Sequence, residues 1–133
     1  MATQTHPLTR DQLAALPETY FKAVDAKDVD AILAHFADDC VMTVQTANAT
    51  WEGADEIRRM FTDFCDGSVS IFHEIKNIVV EPETGKVATE QSYIGELVDG
   101  TKNDMHNCNF FDVDADGKFS RVIIWMAGTN PLK

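Results

Sequence analysis

Apolar residues keep two different periods along this chain, and the change between them divides it. Up to about residue 66 they recur every three or four positions, the spacing that places side chains on one face of a helix. Thr9-Arg10-Asp11-Gln12 reads as a capping box, and Leu13, Leu16, Tyr20 and Val24 follow at helical spacing. Pro17 marks a kink or a fresh helix start within that run. Asp28 is placed to cap a second helix, with Asp30 in its first turn, and Val29, Ile32, Leu33 and Phe36 form its apolar stripe, so this helix is expected to run to Asp38-Asp39. Cys40-Val41-Met42-Thr43-Val44 is short and β-branched and predicts a strand. Gly53 breaks the chain before Ala54-Asp55-Glu56-Ile57, where acids again sit in a first helical turn.

From residue 69 the pattern alternates. Val69, Ile71, His73 and Ile75 oppose Ser70, Phe72, Glu74 and Lys76. The cluster Glu81-Pro82-Glu83-Thr84-Gly85-Lys86 joins strands 69–80 and 87–98 into a hairpin. After Asp99-Gly100-Thr101, residues 103–113 and 119–127 make a second hairpin around Asp114-Ala115-Asp116-Gly117. Every late connection is a short turn, which excludes a parallel sheet with alternating helices. The fold class is α+β, and residues 1–133 read as one domain with its core at about 8–127 and a C-terminal loop at 128–133 that lies across a pocket mouth or a neighbouring subunit.

Composition narrows the functions. A net charge of −11, from 11 basic and 22 acidic residues, argues against nucleic acid and anionic membrane as partners. It favours neutral or cationic ligands. No apolar run approaches a transmembrane span, and the N-terminus lacks a basic region followed by an apolar one, so a cytoplasmic protein is expected. Cys40, Cys65 and Cys108 are odd in number and lack metal-ligand spacing, as suits a reducing compartment. Asp112-Val113-Asp114-Ala115-Asp116-Gly117 matches half of a calcium loop, but Ile123 stands where the bidentate Glu belongs, so it reads as a hairpin turn and no metal is expected.

The order of the Tyr20–Phe61 stretch, with its Ala23-Val24-Asp25-Ala26-Lys27-Asp28 corner and its Gly53-Ala54-Asp55-Glu56-Ile57-Arg58 helix start, resembles the nuclear transport factor 2-like superfamily. Within it the chain is most similar to the SnoaL-like polyketide cyclase and ketosteroid isomerase branches. The resemblance covers about Leu8 to Met126. It implies a cone: three N-terminal helices on a strongly curved, mostly antiparallel sheet that encloses an apolar pocket. It also implies no cofactor, a small hydrophobic molecule as ligand, and a homodimer through the outer sheet face, where Phe110 and Trp125 offer apolar area.

Residue by residue, the resemblance puts Tyr20 in the isomerases' oxyanion-binding tyrosine slot, the alternative being an aromatic core residue. Asn109 falls where those enzymes carry a protonated Asp, and an amide can donate the same bond. Scytalone dehydratase, a relative, also has an asparagine in this strand. Asn107 shares the face of Asn109, unless that face meets solvent. The isomerases' Asp base falls on Val44, and the stretch Val122 to Met126 holds no acid, so the usual carboxylate base is missing. His73, placed much as a histidine of scytalone dehydratase, is the substitute, since imidazole titrates at about 6.5 when unperturbed. The alternative is a histidine bonded within the sheet. His106 should face outward and His35 should end the second helix. Glu90 is a second candidate for the pocket unless it faces outward with Glu96. Met42, Val44, Trp51, Phe61, Phe111, Ile124 and Met126 are lining or core. The chain is therefore expected to be a cofactor-free isomerase, dehydratase or cyclase on a small hydrophobic carbonyl compound, with Tyr20, His73 and Asn109 catalytic. A non-catalytic binding module, or a vestigial domain that only dimerises, is the alternative.

Overall fold

A computed structural model describes residues 6–133, so the start of the N-terminal stretch read above lies outside the described residues. Helix α1 spans Arg10–Asp25, and its capping box is formed as expected: Gln12 N–H donates to Thr9 Oγ1 and Thr9 N–H donates to the Gln12 side chain. Pro17 lies inside α1, which continues through it without a fresh start. Ala26 and Lys27, the latter at φ +56°, turn the chain into α2, Val29–Leu33, capped by Asp28.

Helix α2 is shorter than its apolar stripe suggested. Strand β1 already begins at Phe36 and runs to Val44. Phe36 pairs with Phe119, whose N–H donates to His35 O at 2.7 Å, so sheet pairing overrides the helical spacing. An irregularity between Phe36 and Val41 turns Asp38 and Asp39 out to solvent. A single 3-10 turn, Gln45–Ala47, leads to β2 (Ala49–Glu52). Gly53, at φ +86°, then starts α3, Ala54–Asp66.

The remaining strands are β3 (Ser68–Glu81), β4 (Lys86–Leu97), β5 (Lys102–Val113) and β6 (Phe119–Trp125). They form the two expected hairpins. The six strands lie in the order β2-β1-β6-β5-β4-β3, so β2 and β3 are open edges and the curved sheet does not close into a barrel. It is antiparallel except where β1 runs parallel to β6. The three helices cover its inner face, and between them lies a core that includes Leu13, Ile32, Met42, Ile57, Met60, Phe111, Phe119 and Val122. At about 25 cal/mol for each Å² of apolar surface removed from water, such burial is the main stabilising term.

Candidate active site

Alternation along β4 and β5 decides what the interior contains. On β4, Val87, Thr89, Gln91 and Tyr93 face inward, and on β5 Met105, Asn107, Asn109 and Phe111 do. Four of these inward residues are uncharged polar ones, each at most 4% exposed. Buried polar groups need partners, and here they form a relay. Thr89 Oγ1 donates to Gln91 Oε1 at 2.7 Å, and Gln91 Nε2 donates to Asn109 Oδ1 at 2.9 Å. With its carbonyl oxygen taken by Gln91, Asn109 keeps an NH2 group that has no acceptor among the described residues. Sequence reasoning missed Gln91, although its parity with Val87 and Tyr93 was visible.

Tyr20, on α1, has its ring held edge-on by Phe36, Phe61, Phe111 and Phe119 at 5.6–6.2 Å between centroids. Its hydroxyl bonds to no described residue. Burial, reinforced by Cys40 and Cys65, pushes this phenol up from its ordinary value, so it stays protonated and remains a donor.

His73, on the edge strand β3, is fixed more tightly than its sequence suggests. The carboxylate of Asp25, the last residue of α1, accepts from His73 Nδ1 at 2.6 Å through Oδ1 and from the His73 backbone N–H at 2.9 Å through Oδ2. The imidazole is stacked between Phe21 and Tyr93, at 4.6 and 5.2 Å between centroids. In the neutral ring a carboxylate on Nδ1–H leaves Nε2 as the unprotonated nitrogen, and Nε2 has no partner among the described residues. Asp25 was not foreseen as a site residue. One signal was available: an acid at a helix C-terminus opposes the helix dipole, which costs about 0.3–1 kcal/mol unless something else holds it.

Tyr20, His73, Gln91, Tyr93, Asn107 and Asn109 all line one interior cavity, together with Phe61, Ile124 and Met126. Its free volume is about 40 Å³, room for little more than ordered water. The cause is the C-terminal loop, which lies across the mouth. Leu132 enters and is 5% exposed, Asn130 closes a turn onto the Leu132 backbone, and Arg59 Nη1 donates to Lys133 O at 3.2 Å. The loop is anchored at its start by Ala127 N–H, which donates to Asn107 Oδ1 at 3.1 Å. Just outside it lies a hollow of about 420 Å³ that shares Phe64 and Pro131 with the interior cavity.

Other expected site residues lie elsewhere. Glu90 is on the outer face, where its carboxylate accepts from His106 Nε2 at 2.6 Å, because even-numbered positions of β4 point away from the helices. Met42, Val44 and Phe111 are fully buried core residues that do not line the cavity, and Trp51 packs beside the C-terminal loop. Around Asp114–Gly117 the chain makes a turn in which Asp114 Oδ1 accepts from the N–H groups of Asp116 and Lys118. The outer face also carries an open hollow of about 430 Å³ between Val79, Glu90, His106 and Trp125. It lacks the relay and the clamped imidazole of the interior.

This arrangement of helices, curved sheet and internal polar cavity defines a fold class that comparison with known proteins resolves further. The SnoaL-like domain pattern matches residues 18–122, and the chain belongs to that family. Among solved structures, a provisionally named aromatic ring hydroxylase from Novosphingobium aromaticivorans is 26% identical, with a TM-score of 0.80 over 90% of each chain. The BvnE pinacolase of Penicillium brevicompactum superposes with a TM-score of 0.78 at 15% identity, over 89% of this chain and 87% of its own. An LEH-like epoxide hydrolase of M. tuberculosis gives 0.75 at 19% identity, over 87% and 83%. The last two likenesses show the fold alone. No curated protein matches the sequence.

Proposed function

We propose that the protein is a cofactor-free isomerase, dehydratase or cyclase that moves a proton on a small hydrophobic carbonyl compound. The observation that carries this reading is the Asp25–His73 pair on the wall of a cavity that Tyr20 and Asn109 also line. The C-terminal loop is displaced to admit the substrate; Asp25 holds Nδ1–H, so His73 Nε2 takes a proton from the carbon next to the substrate carbonyl. The electron pair of that C–H bond moves into the carbonyl, and the enolate oxygen accepts from Tyr20 Oη and Asn109 Nδ2. In a β,γ-unsaturated substrate the dienolate then collects the proton from His73 at the γ-carbon, with the double bond shifting to α,β; in a β-hydroxy substrate the enolate expels the hydroxyl, which leaves with that proton as water. Donors aimed at a developing oxyanion in a water-poor site are each worth about 3–4 kcal/mol of barrier.

The competing reading, a ligand-binding module, draws on the narrow cavity and on Val44 in the slot of the isomerases' base. The polar lining favours the enzyme. A direct test follows the exchange of the α-protons of 2-tetralone in deuterated buffer by NMR. Wild type should exchange them well above the buffer rate, and His73→Asn should fall to that rate while still binding the ketone. Equal rates in the two proteins would refute the proton-transfer reading. The partner reading is likewise a proposal: a second copy of the chain packs on the outer face, where Phe72, Phe110 and Trp125 are half exposed.

A further inference from the structure

Tyr93 and Asn103 make a polar corner that the fold itself leaves unfinished. The Tyr93 ring is stacked on His73 and is 2% exposed. Its hydroxyl passes over Gly95, where an added Cβ would stand 2.6 Å from it, so the residue at 95 makes room for the phenol. Across the ladder, Gly95 pairs with Asn103. Tyr93 Oη and Asn103 Nδ2 are the buried side-chain polar atoms without a hydrogen-bond partner among the described residues. Burial pushes the Tyr93 phenol up, and the Asn103 amide beside it offsets part of that push.

Orphaned buried donors weaken a fold, and native proteins rarely keep them without a use. Asn103 Nδ2 only donates, and although Tyr93 Oη could accept from it, the phenol proton has no acceptor among the described residues, so what completes the corner is an acceptor. Tyr93 lines the interior cavity and Asn103 the hollow outside the loop, and Pro131 stands between the two spaces. Asp63 and Asp99 outnumber Lys133 on the lining of that hollow, in a chain of net charge −11, which disfavours a carboxylate as the acceptor. We propose that Tyr93 Oη and Asn103 Nδ2 form a second oxygen-binding subsite for a neutral carbonyl or ether oxygen, so that the ligand is an apolar molecule oxygenated at both ends and bound with the C-terminal loop displaced. This rests on the reading of the interior cavity as the ligand site.

The test compares trans-decalin-1,5-dione with 1-decalone by calorimetric titration. Wild type should bind the dione about tenfold more tightly, the preference expected of one well-made polar contact. Tyr93→Phe and Asn103→Leu should each erase that preference, and Asn103→Leu should leave the affinity for 1-decalone within about twofold. Thermal denaturation adds a readout that needs no ligand: Tyr93→Phe should raise the melting temperature, because it removes an unsatisfied buried hydroxyl. A lower melting temperature would show that the hydroxyl is already bonded within the fold and would overturn the proposal. So would an unchanged dione preference in both variants, or the absence of binding of either ketone to wild type. Failure of the proton-transfer reading is seen separately, as wild-type exchange in His73→Asn, whatever the dione preference.

Discussion

Replacing Asp25 by Asn is the sharpest perturbation of the proposed chemistry, since it changes one atom and leaves the shape intact. In the wild type both carboxylate oxygens accept, one from the imidazole and one from the backbone of the same residue. An amide has a single acceptor. If that oxygen keeps the backbone N–H of His73, the amide NH2 turns to Nδ1, which must then accept. The imidazole proton moves to Nε2, and the atom that should take the substrate proton is no longer basic. The expected loss is that of a general base, about 100- to 10,000-fold in turnover. At 1.36 kcal/mol for each factor of ten, this is about 2.7–5.4 kcal/mol of barrier. Affinity for 2-tetralone should stay near that of the wild type. The fold loses one charge-assisted bond between partly buried groups, at a cost of about 1.5–3 kcal/mol and a melting temperature lower by several degrees. The assay is α-proton exchange beside ketone titration, with Ile75→Ala as a control whose stability is also reduced. An exchange rate in Asp25→Asn within about twofold of wild type, or no lower than in Ile75→Ala, would refute the dyad.

Tyr20→Phe and Asn109→Ala should each reduce exchange about 100-fold with little change in ketone affinity, and the double variant should lose less than the product, because both donors hold one oxygen; a fully multiplicative loss would separate their roles. Burial pushes the Cys40 thiol up to about 12, with Asp39 adding to the effect, so native protein should leave Cys40 unlabelled by iodoacetamide at pH 8 while denatured protein reacts. The native thiol holds its proton where the unfolded one has lost it, so stability should fall as pH rises from about 9 towards 12, as urea titrations would show. Sedimentation at micromolar concentration should give a dimer that Trp125→Lys converts to the 14.8 kDa species; the small species alone in wild type would reject the outer-face interface.

Local signals made most of the fold legible. Thr9 and Gln12 fixed the start of α1, Gly53 that of α3, and the Glu81–Lys86 and Asp114–Gly117 clusters both hairpins. Phe36 misled because it satisfies two patterns, the fourth position of a helical stripe and the first of a strand, and only its distant pairing with Phe119 chooses between them. Parity served β5 well: Asn107 and Asn109 face the interior, and His106 does not. On β3 a bulge between Ile75 and Asn77 shifts the phase, which no reading of alternation supplies. Asp25 stayed hidden because its partner lies 48 residues away and the contact depends on tertiary packing alone.

The same carboxylate has a second consequence, for solubility. Strand β3 is a 14-residue edge with exposed Val69, Phe72 and Val79, the type of surface to which another chain can add as a strand. The end of α1 occupies that edge: Asp25 takes the His73 N–H, and Lys27 Nζ donates to the carbonyls of Ser68 and Val69. Asp25 therefore shields a stretch of backbone from its neighbours as well as aligning a ring. Substitutions at the dyad that leave His73 N–H open invite self-association, and a chain under selection for solubility would keep Asp25 even if its chemistry were lost.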